Sequence, residues 1–334
     1  MRRFVLATAA AAMAVALASP AVQAQDLKTF ALVPKAMNNP FFDLARDGCR
    51  KAEQELSGQV SCLYIGPGEH TEAEQIQIVQ DLVTRGVDGI AVAPSNAPAM
   101  ARVAKQAADA GIPFITWDSD LLTADAKLRA SYVGTKNYDI GVNLAKIVQK
   151  IKPSGGSICI QSGGAAAANH NERMMGIRDT LSGAMGAEPP GNRLAGENGW
   201  NEIDGCPLFT NDDFPLSVQQ MADILAANPN LDAFVPTGGF PQFVPNAYRQ
   251  VAEQYRSKIA DGSLALVVAD TLPVQMDLMK DGLSLGQVGQ RPYEMGYRAM
   301  FILKDLVDGK TVADPIYTGL DVCTPDNADS CLSG

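Results

Sequence analysis

The sequence is poor in histidine, with 2 in 334 residues, and none of its 6 cysteines forms a Cys-x-x-Cys pair. Too few soft ligands stand at metal-site spacing, so no metal is expected. Nucleotide-binding and nucleophile motifs are missing as well. Ser162-Gly163-Gly164 follows a strand-like run but lacks both the Gly-x-Gly-x-x-Gly pattern and a closing Lys-Ser/Thr pair, and no Gly-x-Ser-x-Gly occurs. An exported α/β enzyme is thus the weaker alternative, and no cofactor is expected. Beyond the N-terminal segment no apolar run is long enough to span a bilayer. Basic side chains are scarce: setting aside Arg2 and Arg3, 25 of the 27 remain against 37 acidic ones. That balance argues against nucleic acid as a partner.

What is present begins with Met1-Arg2-Arg3, an Ala-rich apolar run from Phe4 to Ala18, and small residues up to Ala24. A basic start, a short apolar stretch and a small-residue end predict a signal peptide over 1–24 and a periplasmic mature chain. All six cysteines lie beyond it, and an even count in an oxidising compartment predicts disulfides. Pairing near neighbours joins Cys323 to Cys331 and Cys49 to Cys62, leaving Cys159 with Cys206, one of about 15 connectivities. The remaining length exceeds one usual core, so two lobes are expected.

Strand and helix patterns alternate along the chain. Thr29–Val33, Leu63–Ile65, Gly89–Ala93 and Ile112–Asp118 read as strands. Between them, apolar residues recur at helical spacing, with Gly86 and Gly111 as stops. Thr71-Glu72-Ala73-Glu74 reads as a capping box. After Gly134-Thr135 the pattern restarts: strands near Ser157–Ile160, Cys206–Phe209, Ala233–Val235, Leu264–Ala269 and Leu283–Val288 separate further helices. Glu188–Gly205 reads as a surface loop. Such alternation implies parallel sheets with right-handed crossovers. Asn38-Asn39-Pro40-Phe41-Phe42 follows the first strand, with Asn39 at an N-cap position and Pro40 at the first helical position. Locally this is a helix start with two core aromatics; at a strand end it is also one wall of a ligand cleft.

Asn38–Phe42, Ile115–Asp118, Glu172-Arg173 with Gly176, Val268–Asp270 and Gln287–Gln290 stand in order along the chain. Together these five stretches resemble the ribose-binding type of periplasmic sugar-binding protein over the whole mature length. The resemblance implies a type I periplasmic binding protein: α/β, two doubly wound parallel-sheet lobes joined by a three-crossing hinge. It places the first lobe at 25–134 plus 291–318 and the second at 135–290 plus 319–334. It also implies a monomer that delivers a small sugar or polyol to an inner-membrane ABC permease. A receptor for autoinducer-2, or one that presents its ligand to a chemoreceptor, shares the same fold and stays open. The signal peptide and acidic charge oppose the repressor effector domains of this fold.

The ligand set follows residue by residue. Asp118, Asp120 and Asp270 are carboxylates suited to hydroxyl pairs. Arg173 donates in a rigid fork. Asn39, Asn169 and Gln290 offer both a donor and an acceptor. Phe41, Phe42 and Trp117 supply faces for the C–H side of a ring. Two departures matter. Thr237-Gly238-Gly239-Phe240 stands where the family carries Asn-Asp, so the Gly239 backbone or the Phe240 ring takes over that contact. Ser119 stands where an Arg follows the strand-end Asp, and Trp117–Asp120 is closer to the autoinducer-2 and rhamnose-type branch.

Overall fold

The computed structural model describes residues 27–331, and the expected signal peptide lies outside the described residues. The first five strands are β1 (Lys28–Val33), β2 (Val60–Tyr64), β3 (Gly89–Val92), β4 (Phe114–Trp117) and β5 (Tyr132–Gly134). They alternate with α1 (Pro40–Glu55), α2 (Glu72–Arg85) and α3 (Ala97–Asp109). Then come α4 (Asn137–Ile151), β6 (Gly156–Ser162), α5 (Ala168–Ser182), β7 (Trp200–Glu202) and β8 (Leu208–Phe209). They are followed by α6 (Phe214–Ala227), β9 (Ala233–Pro236), α7 (Pro245–Ala252), α8 (Arg256–Ala260) and β10 (Ala265–Ala269). The chain closes with α9 (Pro273–Lys280), β11 (Gly286–Gly289), α10 (Pro292–Val307), β12 (Ile316–Tyr317) and β13 (Asp321–Cys323).

Two sheets result. The first runs β12-β5-β4-β3-β1-β2, all parallel. The second runs β13-β11-β10-β9-β6-β7, with β8 beside β6 and β13 antiparallel to β11. Each sheet is covered on both faces: Phe30, Leu32 and Trp117 lie on one side of the first and Ile90, Val92 and Met100 on the other, while Ile158 and Val235 oppose Phe234 and Leu266 in the second. Strands buried on both faces read as continuous apolar runs, and that pattern marked them in the sequence. The chain passes between sheets three times: between β5 and α4, between β11 and α10, and between β12 and β13.

One helix pair backs each sheet, and glycine sets its spacing. A Cβ at Gly48 of α1 would collide with the Tyr293 carbonyl, and one at Gly296 of α10 with the Ala45 carbonyl. In the second lobe Gly141 of α4 and Gly176 of α5 hold the same relation to Arg173 and Tyr138. The backbones therefore approach to a distance that no larger residue permits. The close approach of α5 to α4 fixes the helix that carries Arg173.

Cys49–Cys62, Cys159–Cys206 and Cys323–Cys331 are all bridged, as the spacing of the cysteines predicts. Other expectations change. Thr71 occupies the N-cap of α2 but makes no side-chain cap bond, so the capping box does not form. The Glu188–Gly205 stretch contains β7, which adds a three-residue edge to β6. Strand β11 begins at Gly286 rather than Leu283, and Leu283 lies in the same apolar cluster as Leu278 of α9.

Candidate functional site

The carboxyl ends of the strands in both sheets converge on one cavity, where open α/β sheets place ligands. From the first lobe come Lys35 and Asn39 after β1, Phe41 and Phe42 on α1, and Asp118 after β4. The second lobe supplies Asn169, His170 and Arg173 on α5, Asp212 after β8, Gly238, Phe240 and Phe243 after β9, Asp270 after β10, and Gln290 after β11. The lobes are shut. Ala97 N–H donates to the Ala166 carbonyl across the cleft, and Leu272 packs into the first lobe's apolar cluster. The space left between the shut lobes is narrow and is walled by polar and aromatic side chains from both.

Asn39 caps α1: its Oδ1 accepts the Phe41 N–H at 3.0 Å, which leaves its amide nitrogen for other partners. Phe42 stands edge-on to Phe41 at 5.3 Å and to Trp117 at 5.5 Å. Both phenylalanines are buried and both border the cavity. Asp118 and Asp270 follow their strands with φ of 58° and 73°, a left-handed turn that swings each carboxylate into the cleft.

Charges of both signs are buried together. Lys35 Nζ donates to Asn169 Oδ1 at 2.8 Å and stands 4.0 Å from Asp118 Oδ2. Asn169 Nδ2 reaches the same oxygen at 3.4 Å, and Arg173 Nη2 lies 3.6 Å from Asp118 Oδ1. Arg173 is held by Nε on Asn137 Oδ1 at 2.9 Å and Nη1 on the Thr237 carbonyl at 2.8 Å. Asp270 accepts from Gly239 N–H at 3.0 Å and from Gln290 Nε2 at 2.8 Å. Burial pushes Asp118 up against the pull of Lys35 and Arg173, and pushes Asp270 up against the pull of Arg173 and Gln290. Burial also lowers Lys35 against the attraction of Asp118, and with Lys35 it holds His170 well below its ordinary value. At Asp212 burial pushes upward, but the His70 hydrogen bond and the neighbouring cations outweigh it and hold the carboxyl below the usual range. Arg173 Nη2, Gln290 Oε1 and Asp212 Oδ1 have no hydrogen-bond partner among the described residues.

Of the residues singled out in the sequence, Asn39, Phe41, Phe42, Asp118, Asn169, Arg173, Asp270 and Gln290 border this cavity. Three stand elsewhere. Trp117 is fully buried in the first lobe's core, where it backs Phe42. Asp120 turns away to take Arg129 Nε at 2.8 Å and Nη2 at 2.6 Å, together with the Thr116 hydroxyl. Gly239 serves through its N–H on Asp270, while Gly238 borders the cavity. Leu272, not Asp270, holds the N-cap position before α9. Asn169 and His170 lie in the first turn of α5. Sequence reasoning missed Lys35, Asp212 and Phe243. The one signal for Lys35 was a cation two residues beyond a buried strand end.

Two parallel-sheet lobes shut over a small cavity of paired carboxylates, amides and ring faces define a two-lobed ligand-binding protein. The chain belongs to the periplasmic binding protein domain family, whose pattern matches residues 30–311. It is 25% identical over 309 residues to the ribose import binding protein RbsB of Escherichia coli K12, covering 92% of this chain and 94% of that protein. It is 24% identical over 287 residues to the D-allose-binding periplasmic protein of the same organism, 83% of each chain. An ABC transporter solute-binding protein from Burkholderia graminis, crystallised in complex with D-arabinose, is 29% identical with a TM-score of 0.77, over 93% of this chain and 99% of that one. The ribose-type resemblance and the type I fold expected from the sequence are both confirmed.

Proposed function

We propose that this protein is an exported solute receptor that closes on one small, uncharged sugar or polyol and delivers it to an ABC permease. One observation carries the reading: the shut cavity offers hydrogen-bonding groups on every side and aromatic faces at its walls. Asp118, Asp270 and Asp212 are acceptors for ligand hydroxyls, and Arg173 Nη2 and Gln290 Oε1 are a donor and an acceptor still to be matched. Phe41, Phe42, Phe240 and Phe243 take the C–H faces. Three carboxylates against Lys35 and Arg173 leave no surplus positive charge for an anionic solute, which disfavours sugar phosphates and sugar acids. The three passages between sheets serve as the hinge, and ligand that touches both lobes favours the shut state. The relatives named for ribose, D-allose and D-arabinose support the substrate class. Binding and release, without turnover, is all that this cleft has to perform.

Thermal-shift screening of the mature protein tests this. The panel is pentoses, hexoses, deoxysugars, short polyols and autoinducer-2, with amino acids and organic acids as controls. At least one neutral sugar or polyol should raise the melting temperature in proportion to the logarithm of its concentration. A shift with an amino acid or organic acid, and none with the panel, would overturn the reading.

A further inference from the structure

His70 does not border the cavity, yet its ring reaches the other lobe. It lies on the turn before α2, and its Nδ1 stands 3.0 Å from Asp212 Oδ2, with both side chains 4% exposed. Asp212 sits in a tight turn ahead of α6, where Asn211 and Asp212 have φ of 49° and 58°. The amide of Asp212 donates to the Thr210 hydroxyl, which steadies that turn. The second carboxylate oxygen, Oδ1, is buried against Gly163, where a Cβ would collide with it and with the His170 ring, and it has no hydrogen-bond partner among the described residues. His170 Nε2 stands 3.8 Å from it. One oxygen of Asp212 is thus engaged by the opposite lobe, and the other is left unpartnered on a residue that borders the cavity.

We infer that His70 is a positioning residue that acts through Asp212, a clasp from the first lobe that orients a second-lobe carboxylate for a ligand hydroxyl. The inference rests on the sugar-binding reading and adds a coupling to it. In an open cleft Asp212 loses its His70 partner and its carboxylate is free to rotate. On closure it becomes a fixed acceptor, and the ligand hydroxyl and the clasp favour one another. The charged neighbours do not substitute for the ring: Lys35 is engaged with Asn169, and Glu72, which approaches Gly164, accepts from Asn96. The clasp forms after encounter, so its loss belongs in the dissociation rate.

The test is a kinetic double-mutant cycle on the mature protein, using the panel sugar that stabilises the wild type most. His70→Ala should raise the dissociation rate about tenfold with the association rate unchanged, a coupling in the usual range for contacting groups. His70→Asn, which places an N–H donor where Nδ1 stands, should recover most of the loss. In an Asp212→Ala background, His70→Ala should add nothing. Unchanged melting of the ligand-free His70→Ala variant separates this from misfolding. Additive losses, or no change in dissociation, in a wild type that binds sugar overturn the clasp alone. A wild type that no panel member stabilises overturns the sugar reading and the clasp with it.

Discussion

Asp118 and Asp270 look alike. Each ends a buried parallel strand in a left-handed turn, each is buried, and burial pushes each upward. Their partners differ. The contacts of Asp270 come from its own lobe, through the Gly239 amide and Gln290. Asp118 faces Arg173 and Asn169 of the opposite lobe, with Lys35 beside it bridging to the same Asn169. The second-lobe aspartate is therefore an acceptor assembled before closure, and the first-lobe aspartate is completed by it. The same local motif serves recognition on one side of the cleft and closure on the other.

The difference breaks most directly at Asp118. Asp118→Ala leaves Lys35 of its own lobe without its counter-ion, and Arg173 as well once the lobes shut, and truncating one partner of a buried charge cluster is costly. We expect a loss of about a thousandfold or more in sugar affinity by titration calorimetry, with ligand-free melting little changed because the open cleft is hydrated. Comparable loss on both measures would show that Asp118 holds its lobe together instead.

Next in size are the two disulfides that staple the lobes separately. Cys49–Cys62 closes a separation of 13 residues and Cys159–Cys206 one of 47. Loop-closure entropy then predicts losses of about 3 kcal/mol for the paired serine variant in the first lobe and about 4 kcal/mol in the second. Denaturant unfolding checks the ranking, and the reverse order would contradict it. Asp270→Asn keeps an acceptor for the Gly239 amide but removes the charge and turns the atom facing Gln290 Nε2 into a donor, so its affinity loss should be about 10- to 100-fold. A loss as large as that of Asp118→Ala would erase the contrast between the aspartates.

The smallest expected effect is a pH dependence at the cleft edge. Glu172 on α5 is pushed up to about 7, first by burial and then by Asp120 of the other lobe, against the pull of Arg173. The closed form holds this proton more tightly than the unfolded chain, so the contribution of Glu172 to stability is greatest at low pH. It falls as pH rises from the ordinary carboxylate value, about 4.3, through about 7. Glu172→Gln should flatten melting across that window and gain on the order of 1 kcal/mol above it. An unchanged pH profile would place Glu172 in water.

The first lobe's wall was the more legible in sequence. Asn39, Phe41 and Phe42 sit in one contiguous stretch, where strand end, cap and Pro-led helix all point the same way. Lys35 escaped because a lone lysine in the β1–α1 loop has the pattern of a solvated turn, and only the packing of both lobes buries it. Asp120 was credited with a ligand role because its partner Arg129 approaches through a loop with no regular spacing. Trp117 shares a strand end with Asp118, but the alternation of side chains sends its ring into the core. The second lobe's wall is drawn from α5 and from the turns after β8, β9, β10 and β11. Asp270, Gln290 and Arg173 stood at well-patterned strand ends or on a clear helix. Asp212 follows the two-residue β8, too short for any period to register.

The most direct measurement is a crystal structure of the mature protein grown with the panel sugar that stabilises it most. We predict the sugar between the lobes, with hydroxyls on Asp118 and Asp270, a further oxygen on Arg173 Nη2, and a ring face against Phe41 or Phe42. A shut protein whose sugar density lies outside the cleft, or within it but away from both aspartates, would contradict the account.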